Sequence, residues 1–253
     1  MENISPQTRF TGRQFVFLPV CTSTNTVAQQ LLNKNEATQG CVILTENQTA
    51  GRGQRGNSWE AGVGQNLTLS VVYKPTFLEA AEQFYLNIAI SLGIADFLKR
   101  FLPAGVQLKW PNDLYFLENK LGGILIENSI SGAMLQSSVI GIGLNVNQTH
   151  FENSNAVSLK LITGQTFNLK QLTENLLESL EKRYLELQEK SWSQLQQEYW
   201  SQLLGFGEYR LYELAGNVIQ GKITGTDVYG RLLLDTDKGM QTFDLKEIKF
   251  LFS

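Results

Sequence analysis

Three glycines and two arginines fall within six residues, Gly51-Arg52-Gly53-Gln54-Arg55-Gly56. Arginine forks grip carboxylates and phosphates, and glycine lets the backbone come close to a ligand. The segment therefore predicts an anion-holding loop, with Asn57 and Trp59 just beyond it. The plainer alternative is a hairpin-like loop carrying solvated arginines. A second island reads Lys109-Trp110-Pro111-Asn112-Asp113, followed by Lys120-Leu121-Gly122-Gly123-Ile124-Leu125. Lys120 opens an apolar strand, so its charge sits at the edge of a buried region and points at an anion, unless it is a surface lysine. Asn112-Asp113 follows a proline and reads as a turn. Ser23-Thr24-Asn25 and Gly141-Ile142-Gly143-Leu144-Asn145 complete the set. Asn145 can donate and accept together, which suits a nucleobase edge or an amide. Each island ends an apolar run, and in α/β folds ligands bind at strand ends.

Composition narrows the chemistry. The chain has 253 residues, 42% hydrophobic and 18% charged, with 21 basic and 24 acidic side chains. That is enough apolar material for a core. It carries no basic excess to neutralise a long phosphate backbone, which argues against general nucleic-acid binding. One histidine, His150, and two cysteines, Cys21 and Cys41, exclude a multi-histidine metal site and a disulfide framework. His150 reads as a surface residue in a loop, and the cysteines as small buried hydrophobes. No apolar run reaches the ~18 residues of a membrane span, and no signal peptide is recognisable. The expected compartment is the cytoplasm, with no membrane partner.

Two familiar frames occur by chance. Gly51–Gly56 matches G-x-G-x-x-G, but a dinucleotide fingerprint must open a helix. Here the loop leads through Trp59, Gly62 and Gly64 into a strand. Gly216–Lys222 has the spacing of a phosphate loop, with Ile223 where a magnesium-binding hydroxyl belongs.

The elements that must position these residues alternate. Strands are expected over 15–20, 41–44, 67–73, 106–110, 120–127 and 138–143. Ser23-Thr24-Asn25 offers N-caps for a helix carrying Val27, Ala28, Leu31 and Leu32. Phe84, Ile88, Leu92, Ala95 and Leu98 recur as one face of a long helix. Asn168 and Gln171 resemble a capping box before Leu172, Leu176, Leu180, Tyr184 and Leu187, and Ser191 opens a helix through Leu204. After Gly205-Phe206-Gly207 only short strands and tight turns follow, which suggests a small barrel. The expected architecture is α+β: a mixed-sheet catalytic domain over 1–205 and a β-barrel over 206–253.

Taken in order, Ser23-Thr24-Asn25, the Gln48–Trp59 segment, Lys109–Asp113, Lys120–Leu125 and Gly141–Asn145 resemble the motifs of biotin protein ligases of the short type. The resemblance runs from about Phe15 to the C-terminus. It implies a core related to class II aminoacyl-tRNA synthetases with an SH3-like C-terminal barrel. It implies two steps: biotin and ATP give biotinyl-5′-adenylate and pyrophosphate, and the acyl group then passes to a lysine of a biotin carboxyl carrier domain. Carried over, Ser23, Thr24 and Gln48 hold the ureido ring, with Asn25 shaping that end. Gly51, Arg52 and Gly53 close over the valeryl chain and adenylate, and Lys120 meets the biotin carboxylate and α-phosphate. Arg55, Asn57, Trp59, Asn112 and Asn145 serve the nucleotide. Gly123, Leu125 and Gly141 line the pocket.

Arg52, Arg55, Lys120 and magnesium, whose ligands the sequence leaves open, offset the repulsion between the two anions. Asp113 orients or deprotonates the carrier lysine. Gln54 stands where many members carry a further basic residue, which implies weaker retention of the adenylate. With only about 14 residues before the first strand, the resemblance implies no DNA-binding domain. It leaves the oligomeric state open, a homodimer included. The rivals are a lipoate or octanoate ligase, which shares the core, and a non-catalytic biotin-binding module.

Overall fold

The structure, a computed structural model, describes residues 3–252, apart from the side chain of Arg55. Seven strands form one mixed sheet: β1 (Phe15–Cys21), β2 (Cys41–Gln48), β3 (Leu67–Tyr73), β4 (Val106–Lys109), β5 (Asp113–Phe116), β6 (Asn119–Ser131) and β7 (Met134–Leu144). Their order is β1-β2-β3-β7-β6-β5-β4, with β1 parallel to β2 and the other pairs antiparallel. The helices are α1 (Thr24–Asn33), α2 (Phe84–Lys99), α3 (Leu159–Thr163), α4 (Leu169–Gln188) and α5 (Trp192–Ser201). Among the described residues no helix is long and apolar enough to cross a membrane.

Strand periodicity gives the sheet two unlike faces. Val42 and Leu44 of β2, Leu67, Leu69 and Val71 of β3, and Ile140, Ile142 and Leu144 of β7 join one large core with α2 and α4. The alternate residues face the other way. Cys41, Ile43, Val72 and Val139 pack under α1, through Ala28. Thr68, Gly123, Leu125, Gly141 and Gly143 instead line a cavity. A sheet that is apolar on one side and small or polar on part of the other leaves room for a ligand.

Several elements differ from expectation, each for a local reason. Helix α2 buries Leu86, Ile90, Ile94 and Phe97 as well as the expected face, because it lies between the sheet and α4 and α5. Asp113 begins strand β5 rather than sitting in a turn, paired with Lys109 and Gly123. Ser23 flanks α1 but makes no side-chain cap; the neighbouring Thr24 and Asn25 turn their polar groups to the cavity instead. Helix α5 stops at Ser201, short of Leu204, and Ser191 gives it no side-chain cap. The Asn168 side chain does accept from the Gln171 N–H at 3.2 Å. The Gly51–Gly56 loop opens no helix beyond a single 3-10 turn, and Gly216–Lys222 runs from a turn into a strand.

The C-terminal part forms five strands: β8 (Tyr209–Leu214), β9 (Asn217–Thr226), β10 (Leu232–Thr236), β11 (Gly239–Phe243) and β12 (Ile248–Phe250). Their order is β11-β10-β9-β8-β12, an antiparallel sheet with β11 and β12 at its edges. Its buried residues Tyr212, Ile223, Leu232, Leu234 and Phe250 belong to the same core as the large sheet. Trp110 Nε1 donates to the Gly230 carbonyl at 2.8 Å and so ties β4 to this sheet.

The segment before β1 is strapped to α4 by acids. The N–H groups of Arg9, Phe10 and Thr11 all donate to the Glu181 carboxylate. Burial alone would raise the pKa of Glu181, but these bonds and the Thr11 hydroxyl outweigh it and hold the carboxyl below its ordinary value. A depressed folded pKa adds stability above the unfolded pKa of about 4.3, and this is lost as pH falls through the folded value. Glu181→Gln should therefore lose about 1.5–3 kcal/mol at pH 7 and much less near pH 3. Urea midpoints at both pH values check this; a loss independent of pH contradicts it.

Candidate functional site

One cavity of about 600 Å³ gathers most of the expected residues, a size suited to a small-molecule site. Ser23, Thr24, Asn25, Gln48, Arg52, Gly53, Asn57, Trp59, Asn112, Asp113, Lys120, Gly123, Leu125 and Gly141 all line it. Gly51 and Asn145 lie off its wall, and the side chain of Arg55 is outside the described residues. Gly51 is held behind the loop, where its carbonyl accepts the Trp59 N–H at 3.0 Å.

The floor is a hydrogen-bonded row. Gln48 Oε1 accepts from the Thr24 N–H at 2.8 Å and from its hydroxyl at 3.2 Å. Ser70 Oγ lies 2.7 Å from Thr24 Oγ1 and 2.6 Å from Asn25 Oδ1. Asn25 Nδ2 donates to Glu127 Oε2 at 2.7 Å. Gln48 ends β2 and Ser70 lies on β3, so the sheet fixes their spacing while the first turn of α1 supplies Thr24 and Asn25. Gly141 is required beneath them: a Cβ there would overlap Asn25 Oδ1. Gly143 likewise leaves room for the Trp59 indole.

The mouth is charged. Lys120 Nζ lies 2.7 Å from Asp113 Oδ1, and its ammonium stands 5.9 Å from the Trp59 ring centroid. Arg52 Nη2 donates to Glu127 Oε2 at 2.9 Å. Lys109 is held 5.0 Å from the Phe250 ring and 5.3 Å from that of Tyr115. Burial lowers its pKa, Asp113 works against that and Lys120 reinforces it. Asn112 Nδ2 donates to the Ile124 carbonyl and steadies the junction of β5 and β6. Asn145 is buried, with its amide nitrogen on the Val157 carbonyl at 3.1 Å and Oδ1 without a partner. Trp59 Nε1 is also buried and unpartnered. Of these two residues only Trp59 lines the cavity, and its orphaned donor favours a ligand with a polar edge.

Three contributors had escaped the sequence. Ser70 is hidden in an apolar strand. Glu127 follows Gly123 and Leu125 at a spacing of two along β6, which puts it on the sheet face of those two cavity residues, and that period of two is the signal that finds it. The third is the wall from the C-terminal sheet, with Leu245, Ile248, Lys249, Phe250 and Phe252 on the cavity; no local pattern announces a long-range contact of this kind. His150 is exposed in a loop, and Cys21 and Cys41 are free thiols, Cys41 buried with its pKa pushed up to about 11. No group of three potential metal ligands occurs among the described residues.

The cavity sets amide and hydroxyl groups beside the apolar Leu125 and the cations Lys109 and Lys120, a lining that suits a small acid and a second anion. The comparisons place it more narrowly. Residues 17–145 match the model of the biotin/lipoate A/B protein ligase family, and the chain belongs to that family. The bifunctional ligase/repressor BirA of Bacillus subtilis is 29% identical over 245 residues, 93% of this chain and 73% of the relative. The biotin–[acetyl-CoA-carboxylase] ligase of Mycobacterium tuberculosis is 32% identical over 78% of this chain and 73% of its own length. A structure of the biotin protein ligase from Aquifex aeolicus in complex with biotin and ATP superposes with a TM-score of 0.79 at 27% identity. It covers 95% of this chain and all of the other.

Proposed function

We propose that this chain is a biotin protein ligase: it condenses biotin with ATP to biotinyl-5′-adenylate and passes the acyl group to a lysine of a biotin carboxyl carrier domain. The observation that carries this is the lining of the cavity: neutral hydrogen-bonding groups at Thr24, Asn25 and Gln48, with Arg52 reaching beside them through Glu127, and the cations Lys120 and Lys109 around Asp113. Biotin is apolar with a neutral polar head and an anionic tail, and it matches that lining. Thr24 and Gln48 face the ureido ring with Ser23 beside them, and Asn25 shapes the end wall. Gly51 and Gly53 let the Arg52 loop close over the chain. Gly123, Leu125 and Gly141 give the middle its shape.

Lys120 then meets the biotin carboxylate and the α-phosphate together, which lowers the repulsion as the carboxylate attacks. Asn57, Trp59, Asn112, Asn145 and Arg55 serve the nucleotide; the buried, unpartnered Trp59 Nε1 on the cavity wall is a donor open to it. Magnesium would arrive on the nucleotide. The carboxylates of Asp113 and Glu127 each already hold a cation, so the ion would be held chiefly by the nucleotide rather than by these two side chains. There it would supply further neutralisation of charge.

We also read residues 1–205 as the catalytic domain and 206–253 as a small SH3-like barrel. Five short antiparallel strands with a register shift between Leu233 and Leu234 support strong curvature. The C-terminal wall of the cavity gives that appendage a part in the site.

The test is biotin-dependent ATP–pyrophosphate exchange, with lipoate in a parallel reaction. Exchange with biotin alone is expected. Exchange with lipoate would move the chain to the other branch of its family, and none with either acid would leave a binding module.

A further inference from the structure

We propose that Glu127 is a positioning residue that fixes the Arg52 loop to the biotin end of the cavity, acting through Asn25 and Arg52. The inference rests on the biotin-activating reading above. A single carboxylate oxygen, Oε2, accepts from Asn25 Nδ2 at 2.7 Å and from Arg52 Nη2 at 2.9 Å. Asn25 is only 3% exposed and cannot wander. Its other end, Oδ1, is held by Ser70 Oγ at 2.6 Å, which fixes the orientation of the amide. Arg52 has the opposite character: its side chain is 47% exposed. Its loop is braced by a bridge from Arg52 to Ser58 and by the Gly53 N–H on the Asn57 carbonyl. Both braces are internal to the loop and say nothing about where Arg52 stands over the cavity. The bond to Glu127 does.

The two bonds make one continuous row: Gln48, Thr24, Ser70, Asn25, Glu127, Arg52. One end is the floor where a neutral head would bind. The other is the guanidinium that would meet the adenylate. A half-exposed ion pair contributes little to folding, so the use of this contact is placement. A ligand head that engages Thr24 and Asn25 stiffens the row and with it the acceptor that Arg52 leans on. Arginine so placed stands ready for a phosphate before the nucleotide arrives.

Glu127→Gln separates the two bonds. It keeps an acceptor for Asn25 and removes the charge that holds Arg52. The wild-type protein is assayed first: biotin-dependent pyrophosphate exchange there upholds the parent reading, independently of what the variant does. Glu127→Gln is then expected to bind biotin within about twofold of wild type by calorimetry, which also reports that it is folded. Its exchange kcat is expected to fall about tenfold. In an Arg52→Ala background, Glu127→Gln should cause no further loss, because the two act as one unit. Unchanged exchange in Glu127→Gln overturns the proposal. So does a loss of biotin affinity equal to the loss of exchange, and so do losses that multiply in the double variant. If Glu127→Gln does not fold, Glu127→Asp enters the same cycle, where its shortened arm should again cost nothing once Arg52 is gone.

Discussion

Lys120→Ala is expected to cut biotin-dependent pyrophosphate exchange by about 10²–10³-fold. The backbone of Lys120 is pinned on both sides: its N–H donates to the Asn155 carbonyl at 2.7 Å and its carbonyl accepts the Val157 N–H at 2.9 Å. The ammonium therefore has a fixed root and a short arc, from Asp113 at 2.7 Å toward the cavity. In the first step two anions must meet, a carboxylate and an α-phosphate. At about 4 Å and an effective dielectric near 20, their repulsion is about 4 kcal/mol. A cation between them removes a cost of that order, and about 4 kcal/mol is about three powers of ten in rate. Biotin affinity measured without ATP should fall far less, because a single anion is held there and Arg52 remains. A loss seen only in KM would assign Lys120 to uniform substrate binding and remove it from the transition state.

The fold was legible where apolar periodicity was unbroken. Strand β3, Leu67–Tyr73, lies where its run of apolar and β-branched residues put it, and α4 buries the expected Leu172, Leu176, Leu180 and Tyr184. Sequence and structure part where polar residues have two plausible tasks. Thr24 and Asn25 are good cap residues by type, yet they bond across to Gln48 and Glu127, because a cavity beside the helix start offers better-placed partners. Asp113 follows Pro111-Asn112 as turn residues do, yet a register with Lys109 and Gly123 draws it into β5. Helix α3 is five residues long, too short for any periodicity to show.

The site was legible in parts that carry unusual composition and opaque in parts that depend on packing. Glycines beside arginines, and a lysine before paired glycines, are visible in one dimension. Ser70 and Glu127 are ordinary residues in ordinary strands, and only the alternation of the sheet brings them under α1. The wall made by Phe250 and Phe252 comes from the far end of the chain. It rests on Lys109 through the ring of Phe250, 5.0 Å from the ammonium. Neither residue type nor spacing encodes that meeting, which is set by the shared core between the two sheets.

Asp113→Asn is expected to slow transfer from preformed biotinyl-adenylate to the carrier lysine by about 10²–10⁴-fold, while exchange stays within about tenfold of wild type. The substrate lysine has a free pKa near 10.4, so about one in a thousand is neutral at pH 7.4. The ammonium must be drawn in and its proton removed as the amine attacks. Asp113 stands 2.7 Å from Lys120 at rest and has Lys109 as its cross-strand neighbour. On the proposed mechanism Lys120 would turn to the adenylate phosphate and leave Asp113 without that partner. A cationic lysine entering from the carrier would then replace Lys120 as its counter-ion. The carboxylate would thus exchange one ammonium for another between the two steps, the second one carrying the nucleophile. Asparagine keeps the shape and the hydrogen bond but cannot attract the ammonium or take its proton. Single-turnover transfer measured beside exchange separates the roles. Equal slowing of both would mean that Asp113 acts only by holding Lys120, and the proton would need another acceptor.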